Sequence, residues 1–232
     1  MSLFIISAPS GSGKSTLVTE LRKSVPGLEF SISYTTRAPR GSELNGREYY
    51  FVTREEFERM LARDEFLEHA EVFGHYYGTH RRFHREAEAR GHDLLLDIDV
   101  QGARQIKEKI PEAVSIFVLP PSREELELRL RRRSEAEKMR SEEVIRNRLE
   151  TATREIENYP AYDYILINDR LEQSIDTLKA IVLAERLRGS GRLLGTEEQE
   201  IVDAAERCRQ ERAGEQLKRV LATFALPASG RR

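Results

Sequence analysis

The stretch "SAPSGSGKST", residues 7–16, decides the fold, because small and polar residues around a single lysine are poor material for a core. It follows a short apolar run, residues 3–6, with the pattern of a strand that is buried on both faces. It precedes a segment in which Leu17, Val18 and Leu21 fall on one helical face. The order of strand, glycine-containing loop and helix is the context in which this motif predicts a phosphate-binding loop, or P-loop.

The chemistry of this loop suits the phosphates of a nucleoside triphosphate. Backbone N–H groups can point at a phosphate where glycine permits the backbone to turn, and the helix N-terminus adds positive potential. We expect Lys14 to reach the β- and γ-phosphates, and the Ser15 hydroxyl to ligate Mg²⁺ carried by the nucleotide. Ala8 replaces the first glycine of the motif, which narrows the range of backbone angles allowed at this position. The backbone N–H groups that surround the phosphate are unaffected. The alternative is a Gly/Ser turn that binds nothing. The predicted ATP-binding residues of the loop are Ser10, Gly11, Ser12, Gly13, Lys14, Ser15 and Thr16.

Composition limits the class of protein. The 232 residues suit one large domain or two small ones, and a hydrophobic content of 39% is enough to bury a core. Cys208 is the only cysteine, so no intrachain disulfide can form and we expect a cytoplasmic protein. No apolar run has the length of a signal peptide or of a membrane span, so no membrane contact is expected. A net charge of −2 argues against general nucleic-acid binding.

Strand and helix patterns alternate along the chain, which predicts an α/β fold with a parallel sheet and helices on both of its faces. The predicted strands are residues 4–6, 30–32, 94–98, 115–119 and 164–167. The predicted helices are residues 54–63, 80–90, 100–109, 122–132, 141–157 and 171–187. Ligands of such folds bind at the carboxyl ends of the strands.

The segment from residue 30 to residue 52 is the first candidate for binding a phosphoryl acceptor. Arg37 and Arg40 lie three residues apart in a stretch that proline and glycine keep out of regular structure. Guanidinium groups bind phosphate oxygens bidentately, and neighbouring hydroxyl groups can bind the oxygens that remain. The alternative is a solvated charged loop. The hydroxyl-bearing residues of the segment are Ser33, Thr35, Thr36, Tyr49 and Tyr50.

Acidic residues form a second candidate group. Asp97 and Asp99 directly follow an apolar strand, at the end where open α/β sheets bind their ligands. Glu68 is flanked by Phe66 and Leu67, which favours the edge of a pocket. For Glu68 the sequence is equally compatible with an exposed acid on a helix face.

Arginines are dense between residues 120 and 158, where most of them alternate with glutamates. This pattern is typical of a solvated pair of helices held by i,i+4 contacts. A phosphoryl transferase also needs mobile positive charge that closes over the reacting phosphates, and this region can supply it. His80 and His84 have i,i+4 spacing but no acidic or cysteine partner beside them in the sequence, which argues against a metal site.

Several separate motifs together resemble the guanylate kinase family, from about Leu3 to Arg188. They are P-S-G-x-G-K-S-T, T-T-R-x-P-R-x-x-E-x-N-G-x-x-Y, E-F-x-E followed by Y-Y-G-T, L-D-I-D-x-Q-G, P-P-S and N-D. The resemblance implies a P-loop core with a parallel sheet, an inserted GMP-binding region and a helical lid. The implied guanylate kinase domain, 1–188, has core segments 1–32, 91–121 and 159–188, a GMP-binding region 33–90 and a lid 122–155.

The resemblance also implies the reaction, which transfers the γ-phosphoryl group of ATP to GMP and gives ADP and GDP. The residues implied for the GMP phosphate are Arg37, Arg40, Tyr49 and Tyr77, with Ser33 and Glu43 nearby. Those implied for guanine are Glu68, Thr79 and Asp99, and Asp97 is counted with the GMP-binding residues. Those implied for the phosphate charge are Lys14, Arg129, Arg133 and Arg148, while Asn168 lies on the adenine side.

The chain departs from the family in its lid, which reads L-R-R-R-S over residues 130–134 where the family has a glycine on each side of the last arginine. The following segment, residues 135–140, is also longer than usual. Two alternative functions are a catalytically inactive guanylate-kinase-like module that binds phosphopeptides, and a P-loop kinase for another acceptor. The intact P-loop opposes the first alternative, and Glu68 with Asp99 opposes the second.

Residues 189–232, the C-terminal extension, lie outside the resemblance. "GSG" at 189–191 predicts a hinge. Because a helix with unpartnered apolar faces must dock on its own domain or on another chain, we expect a homo-oligomer assembled through the extension. One apolar stripe contains Ile201, Val202, Ala205 and Cys208, and the other contains Leu217, Val220, Leu221 and Phe224.

Overall fold

The computed structural model describes residues 1–72, 74–136 and 141–225. The chain forms two compact units: Met1–Ile6 with Pro26–Val114, and Ser7–Val25 with Ser115–Arg232. The P-loop therefore belongs to the same unit as the C-terminal half of the chain. In the described part of the chain, no helix has the length and apolar character to cross a membrane.

The predicted α/β fold is confirmed, and every predicted strand and helix is present with small shifts at its ends. Among the described residues the strands are β1 (Leu3–Ser7), β2 (Leu28–Ser31), β3 (Tyr34–Thr35), β4 (Tyr50–Phe51), β5 (Phe66–Val72), β6 (His75–His80), β7 (Asp93–Asp97), β8 (Val114–Leu119) and β9 (Tyr164–Ile167). The α-helices are α1 (Lys14–Ser24), α2 (Arg54–Ala62), α3 (Arg81–Arg90), α4 (Val100–Lys109), α5 (Arg123–Ala136), α6 (Glu142–Ile156), α7 (Leu171–Gly189), α8 (Thr196–Glu206) and α9 (Gly214–Thr223).

The first unit contains a parallel arrangement in which β7 pairs with β1 on one side and β2 on the other. Leu94, Leu95 and Leu96 of β7 are buried, as expected for a parallel strand covered on both faces. The carboxyl end of β7 delivers Asp97, and Asp99 follows two residues later as the N-cap of α4. The sequence reasoning therefore placed these two acids correctly at the end of a buried strand.

A second sheet of the same unit, with strand order β4-β3-β6-β5, carries the predicted acceptor segment. The strands β3 and β4 have only two residues each, so they gave no strand pattern in the sequence. Phe57 and Met60 of α2 pack with Phe66 of β5 beneath the sheet. Glu68 lies in β5 and is buried, so the alternative of an exposed acid on a helix face is wrong.

In the second unit, β8 and β9 pair in parallel, and α1 packs against α7. The predicted lid corresponds to α5 and α6, which pack against each other. Of the lid segment expected to be longer than usual, residues 137–140 lie outside the described residues.

The C-terminal extension packs within the second unit, with α8 against α7 and α9 against α5. In the extension, the side chain of Ala205 is fully buried. Four further apolar side chains are at most 6% exposed: Leu217, Val220, Leu221 and Phe224. The sequence analysis treated the apolar faces of the extension as unpartnered, which is wrong for Ala205 and for the second stripe, because the core of this unit is not complete at Arg188. This burial removes the reason given for a homo-oligomer, and the oligomeric state itself stays a prediction.

Candidate active site

The P-loop connects β1 to α1 through two glycines with left-handed backbone. Gly11 has φ +92° and Gly13 has φ +90°, a conformation that side chains with a Cβ rarely adopt. Ser12 N donates to Pro9 O at 3.1 Å, which closes a tight turn between them. A Cβ on Gly13 would also overlap the side-chain amide of Asn168. The loop geometry thus depends on glycine at both positions.

Two side chains from distant parts of the same unit hold the carbonyl of Ser12. Asn168 Nδ2 donates to Ser12 O at 2.7 Å, and Arg129 Nη1 donates to it at 3.3 Å. Arg129 Nη2 also donates to Asn168 O at 3.1 Å. Asn168 is only 5% exposed, and its buried side-chain amide is paired with the Ser12 carbonyl. The sequence could not indicate this pairing. The pair fixes the backbone of the loop between its two glycines.

The remaining predicted donor-side residues lie on helices of this unit. Ser15 and Thr16 are exposed in the first turn of α1, where the helix N-terminus favours negative charge. Arg133 is exposed on α5, and Arg148 of α6 donates to the buried Ser134 Oγ at 3.1 Å. The predicted i,i+4 pairs are present, including Arg129 with Glu125 and Arg131 with Glu127, both at 2.8 Å.

In the first unit, Arg37 lies at the centre of a cationic cluster. Its side chain is 7% exposed, and Nη2 donates to Glu43 Oε1 at 3.0 Å. Burial opposes the charge on Arg37, but the bonds with Glu43 and Tyr77 outweigh it and raise the pKa of Arg37. Burial likewise opposes the charge on Glu43, and the bonds from Arg37 and the Arg40 backbone outweigh it and lower the pKa of Glu43. Both groups are therefore charged at neutral pH.

Two phenols lie beside this guanidinium. Arg37 sits 5.3 Å from the ring centroid of Tyr49, and the rings of Tyr49 and Tyr77 meet edge to face at 5.9 Å. Burial, reinforced by the charge of Asp97, raises the pKa of Tyr49 to about 12, so its hydroxyl stays protonated and can donate. Arg40 is exposed in the loop that connects β3 to β4. The cluster offers cations and hydroxyl donors, which is the chemistry that an anion requires.

Glu43 itself contributes no donor. Its carboxylate accepts hydrogen bonds from Arg37 and from Arg40 N, the latter at 2.8 Å. A carboxylate would repel a phosphate, so its place in the cluster is to hold Arg37 and to shape the loop. Ser33, predicted to lie nearby, is half-buried, and its carbonyl accepts a hydrogen bond from Tyr50 N at 2.9 Å.

A buried carboxylate forms the second cluster of this unit. Glu68 is 3% exposed and pairs across the sheet with Thr79, whose Oγ1 donates to Glu68 Oε1 at 2.6 Å. Burial raises the pKa of Glu68 to about 7, the charge of Asp99 adds to the shift, and the bond from Thr79 opposes it. Asp99 accepts from Gly102 N at 2.8 Å. The structure thus brings together the three residues predicted to read guanine.

Gly102 is a site residue that the sequence reasoning did not assign. A Cβ at this position would overlap Glu68 Oε2 and lie 3.0 Å from Glu68 Cδ. Helix α4 can approach the buried carboxylate only because residue 102 has no side chain. The motif L-D-I-D-x-Q-G ends on this glycine, so the signal was present in the sequence.

Gln105 and Lys109, also on α4, were missed as well. Gln105 Nε2 donates to His69 O at 2.6 Å, and His69 N donates to Gln105 Oε1 at 3.2 Å. Lys109 Nζ donates to Leu67 O at 2.5 Å. These bonds hold the backbone of β5 on both sides of Glu68 and so fix its side chain. No local pattern marks them, since the partners lie 36 and 42 residues apart in the sequence.

Comparisons with known proteins agree with this chemistry. A profile of the guanylate kinase family matches residues 1–185. The guanylate kinase of Koribacter versatilis is 62% identical over 222 residues, covering 96% of this chain and 95% of that protein. The guanylate kinase of Escherichia coli (strain K12) is 50% identical over 190 residues, covering 81% of this chain and 90% of that protein. The crystal structure of guanylate kinase from Anaplasma phagocytophilum matches with a TM-score of 0.65 at 38% identity, covering 79% of this chain and 85% of that one. On the sequence match and the fold together, the chain belongs to the guanylate kinase family.

Proposed function

We infer that this chain is an ATP:GMP phosphotransferase, which moves the γ-phosphoryl group of ATP to GMP and releases ADP and GDP. The observation that carries the choice of acceptor is the buried Glu68 carboxylate bonded by Thr79. Guanine presents donors at N1 and at its exocyclic amine, whereas adenine presents an acceptor at N1. An ionised carboxylate in a buried position therefore favours guanine, because a wrong base would leave polar groups unpaired.

We assign the GMP phosphate to Arg37, Arg40, Tyr49 and Tyr77. The raised pKa of Arg37 and the protonated hydroxyl of Tyr49 support this role, since both groups can donate to phosphate oxygens at neutral pH. Glu43 acts through Arg37 and is a positioning residue. Thr79 and Asp99 accompany Glu68 on the guanine side, and Ser33 and Asp97 are assigned to the same unit's GMP site.

We assign the ATP phosphates to the loop from Ser10 to Thr16, with Lys14 supplying charge at the transferred group. Arg129, Arg133 and Arg148 are proposed to neutralise the charge that develops on the phosphates, and Asn168 to lie on the adenine side. Phosphoryl transfer needs in-line positioning and charge stabilisation and no covalent intermediate. Closure of the lid, 122–155, would exclude water as a competing acceptor.

The residues present fit a Mg²⁺ ion that arrives with ATP. Ser15 offers a hydroxyl in the exposed first turn of α1, directly after the glycine cradle. Among the described residues, no group of three or more His, Cys, Asp and Glu side chains is placed to hold a metal ion. This donor set suits a cation held mainly by phosphate oxygens, with Ser15 as its protein ligand. When bound, such an ion neutralises phosphate charge during transfer.

The domain division and the cellular setting are proposals of the same kind. We assign the GMP-binding region to residues 33–90 and the core to segments 1–32, 91–121 and 159–188. A single cysteine supports a cytoplasmic location, and a net charge of −2 gives no support to nucleic-acid binding.

A panel of acceptors assayed with ATP and Mg²⁺ tests the function. The acceptors are GMP, dGMP, IMP, AMP, CMP and UMP, and the Lys14→Ala variant purified in parallel reports any contaminating kinase. We expect kcat/KM for GMP to exceed that for AMP by about 100-fold or more, because a site built for base donors rejects a base that lacks them. Faster turnover of another acceptor would assign the chain to a different kinase, and phosphopeptide binding without turnover would support the binding-module alternative.

A further inference from the structure

The C-terminal extension lies outside the matched family region, yet its contacts lead to the P-loop. Ser12 O is held by Asn168, which follows β9, and by Arg129, which lies on α5. Each of these two elements is contacted by a different part of the extension. All of these residues belong to the second unit.

The first route runs through β9. Ile165 N donates to Cys208 O at 2.8 Å, and Gln210 N donates to Asp163 O at 3.0 Å. Tyr164 and Arg209 form an antiparallel bridge between these bonds, and the guanidinium of Arg209 lies 4.2 Å from the ring centroid of Tyr164. The segment 208–210 therefore pairs with β9 as a short extra strand. Asn168 directly follows the last residue of β9.

Charged side chains fasten this segment to α7. Arg209 Nη2 donates to Glu185 Oε1 at 2.8 Å, and Arg188 donates to Tyr164 Oη at 2.6 Å. Arg188 also pairs with Glu206 at the end of α8. Tyr164 is fully buried beneath these groups. The extension is thus fastened to α7 and β9 by half-buried charged side chains that surround a buried tyrosine.

The second route runs through α5. Arg123 N, in the first turn of α5, has no partner within its own helix, and it donates to Thr223 Oγ1 of α9 at 3.0 Å. Further along α5, Leu126 and Leu130 approach so closely that a Cβ on Gly11 would lie 3.0 and 3.1 Å from them. The same helix carries Arg129. The position of α9 therefore bears on both the apolar and the polar contacts that α5 makes with the P-loop.

We propose that the extension, residues 189–225, is a positioning element for ATP, which holds β9 and α5 so that Asn168 and Arg129 fix the P-loop. The proposal rests on the proposed function for the identity of the nucleotide. Its specific consequence is a split between the two substrates, because the residues assigned to GMP belong to the other unit and make none of these contacts. If the extension only stabilised the fold, its loss would instead weaken the affinities for both substrates to the same degree.

Thr223→Val in the full chain tests the second route, since valine keeps the shape and removes the acceptor. Calorimetry measures the Kd of a non-hydrolysable ATP analogue and of GMP, and steady-state assays measure kcat and both KM values. We expect the Kd and the KM on the ATP side to rise about fivefold, the value for one hydrogen bond, and those for GMP to stay within about twofold. Thr223→Ser keeps the hydroxyl and should restore the wild-type values.

Thr177→Val is the matched control, because Thr177 Oγ1 donates to Gln173 O within an exposed helix turn. It should change neither the Kd nor the KM of either nucleotide.

A chain ending at Arg188 tests both routes at once, and if it folds, its loss of affinity for the ATP analogue should exceed that of Thr223→Val. If it does not fold, the Thr223 pair decides. Equal changes for ATP and GMP, or none for either, would overturn the proposal. A full-length protein without GMP kinase turnover would contradict the proposed function, while the affinity for the ATP analogue would still test the positioning role.

Discussion

At the scale of the residue, the role proposed for Glu68 links guanine binding to pH through the protonation state of its carboxyl group. Burial raises its pKa to about 7, so the free protein holds a proton on this carboxylate over much of the acidic range. Guanine offers hydrogen-bond donors, and a protonated carboxyl has lost part of its capacity to accept them. Binding of GMP must therefore displace the proton below pH 7 and should weaken there.

We predict that the Kd of GMP rises by up to about tenfold per pH unit as pH falls from 7 to 5 in the wild type. In Glu68→Gln the affinity should be lower at pH 8 and less dependent on pH. The phosphate of GMP titrates in both proteins, so comparing the two profiles isolates the carboxylate. Calorimetry from pH 5 to pH 8 makes the measurement, and parallel profiles for the two proteins would show that Glu68 does not read the base.

The same shift predicts the sign of a stability effect in the free protein. The folded-state pKa of Glu68 lies above its ordinary value of 4.5, so its contribution to stability is fully present below pH 4.5 and is lost as pH rises through about 7. Glu68→Gln carries no such loss. The difference in thermal midpoint, variant minus wild type, should therefore grow in favour of the variant between pH 5 and pH 8, as measured by calorimetric scans. A difference that stays constant with pH would contradict the raised pKa.

Gly102 gives a second test at this scale. We expect Gly102→Ala to raise the KM for GMP by about tenfold or more, because its Cβ would displace a carboxylate that makes charge-assisted bonds. The KM for ATP should change little. Gly189→Ala is the control. Gly189 lies in a different helix, α7, and a Cβ at this position would meet no atom within 4 Å. Equal behaviour of the two alanine variants would mean that α4 can move away without cost to the site.

At the scale of the element, the P-loop that connects β1 to α1 places the charge of Lys14 where helix α1 begins. We predict that Lys14→Ala lowers kcat by about 100-fold or more, the usual loss for a group that stabilises transition-state charge. The thermal midpoint should stay within a few degrees of the wild type. Steady-state assays with GMP and a thermal scan make the comparison. A variant within about tenfold of wild-type turnover would remove Lys14 from the phosphate site.

The same element shows why part of the site could be predicted from the sequence. The strand, the glycines and Lys14 are contiguous, so their pattern could be read directly from residues 3–21. Strands β3 and β4 could not, because strands of two residues exist only through pairing with distant segments. Gln105 and Lys109 were missed for a related reason. Their bonds run to backbone atoms, which carry no residue identity that a motif could reveal.

At the scale of the whole molecule, the extension contributes buried apolar side chains to the hydrophobic core of the second unit. Phe224 is 5% exposed, so Phe224→Ala should destabilise the protein by about 3–5 kcal/mol and lower the thermal midpoint by roughly 10 °C. Leu193→Ala is the control, because Leu193 is 97% exposed and its loss should have almost no effect. Thermal scans and light scattering at equal concentration test both variants. An unchanged midpoint with a reduced oligomeric mass for Phe224→Ala would favour the assembly role over the internal one.

The bond between Asn168 and Ser12 O also sets an order of events during synthesis. The two residues are 156 positions apart, and at ribosomal speeds of about 5–20 residues per second the second follows the first by roughly 8–30 s. The segment 26–114 can begin to fold during this interval, whereas the nascent P-loop must wait for Arg129, Asn168 and the strand that follows at 208–210. We therefore expect ribosome-bound chains to fold the unit to which GMP is assigned well before they can hold ATP.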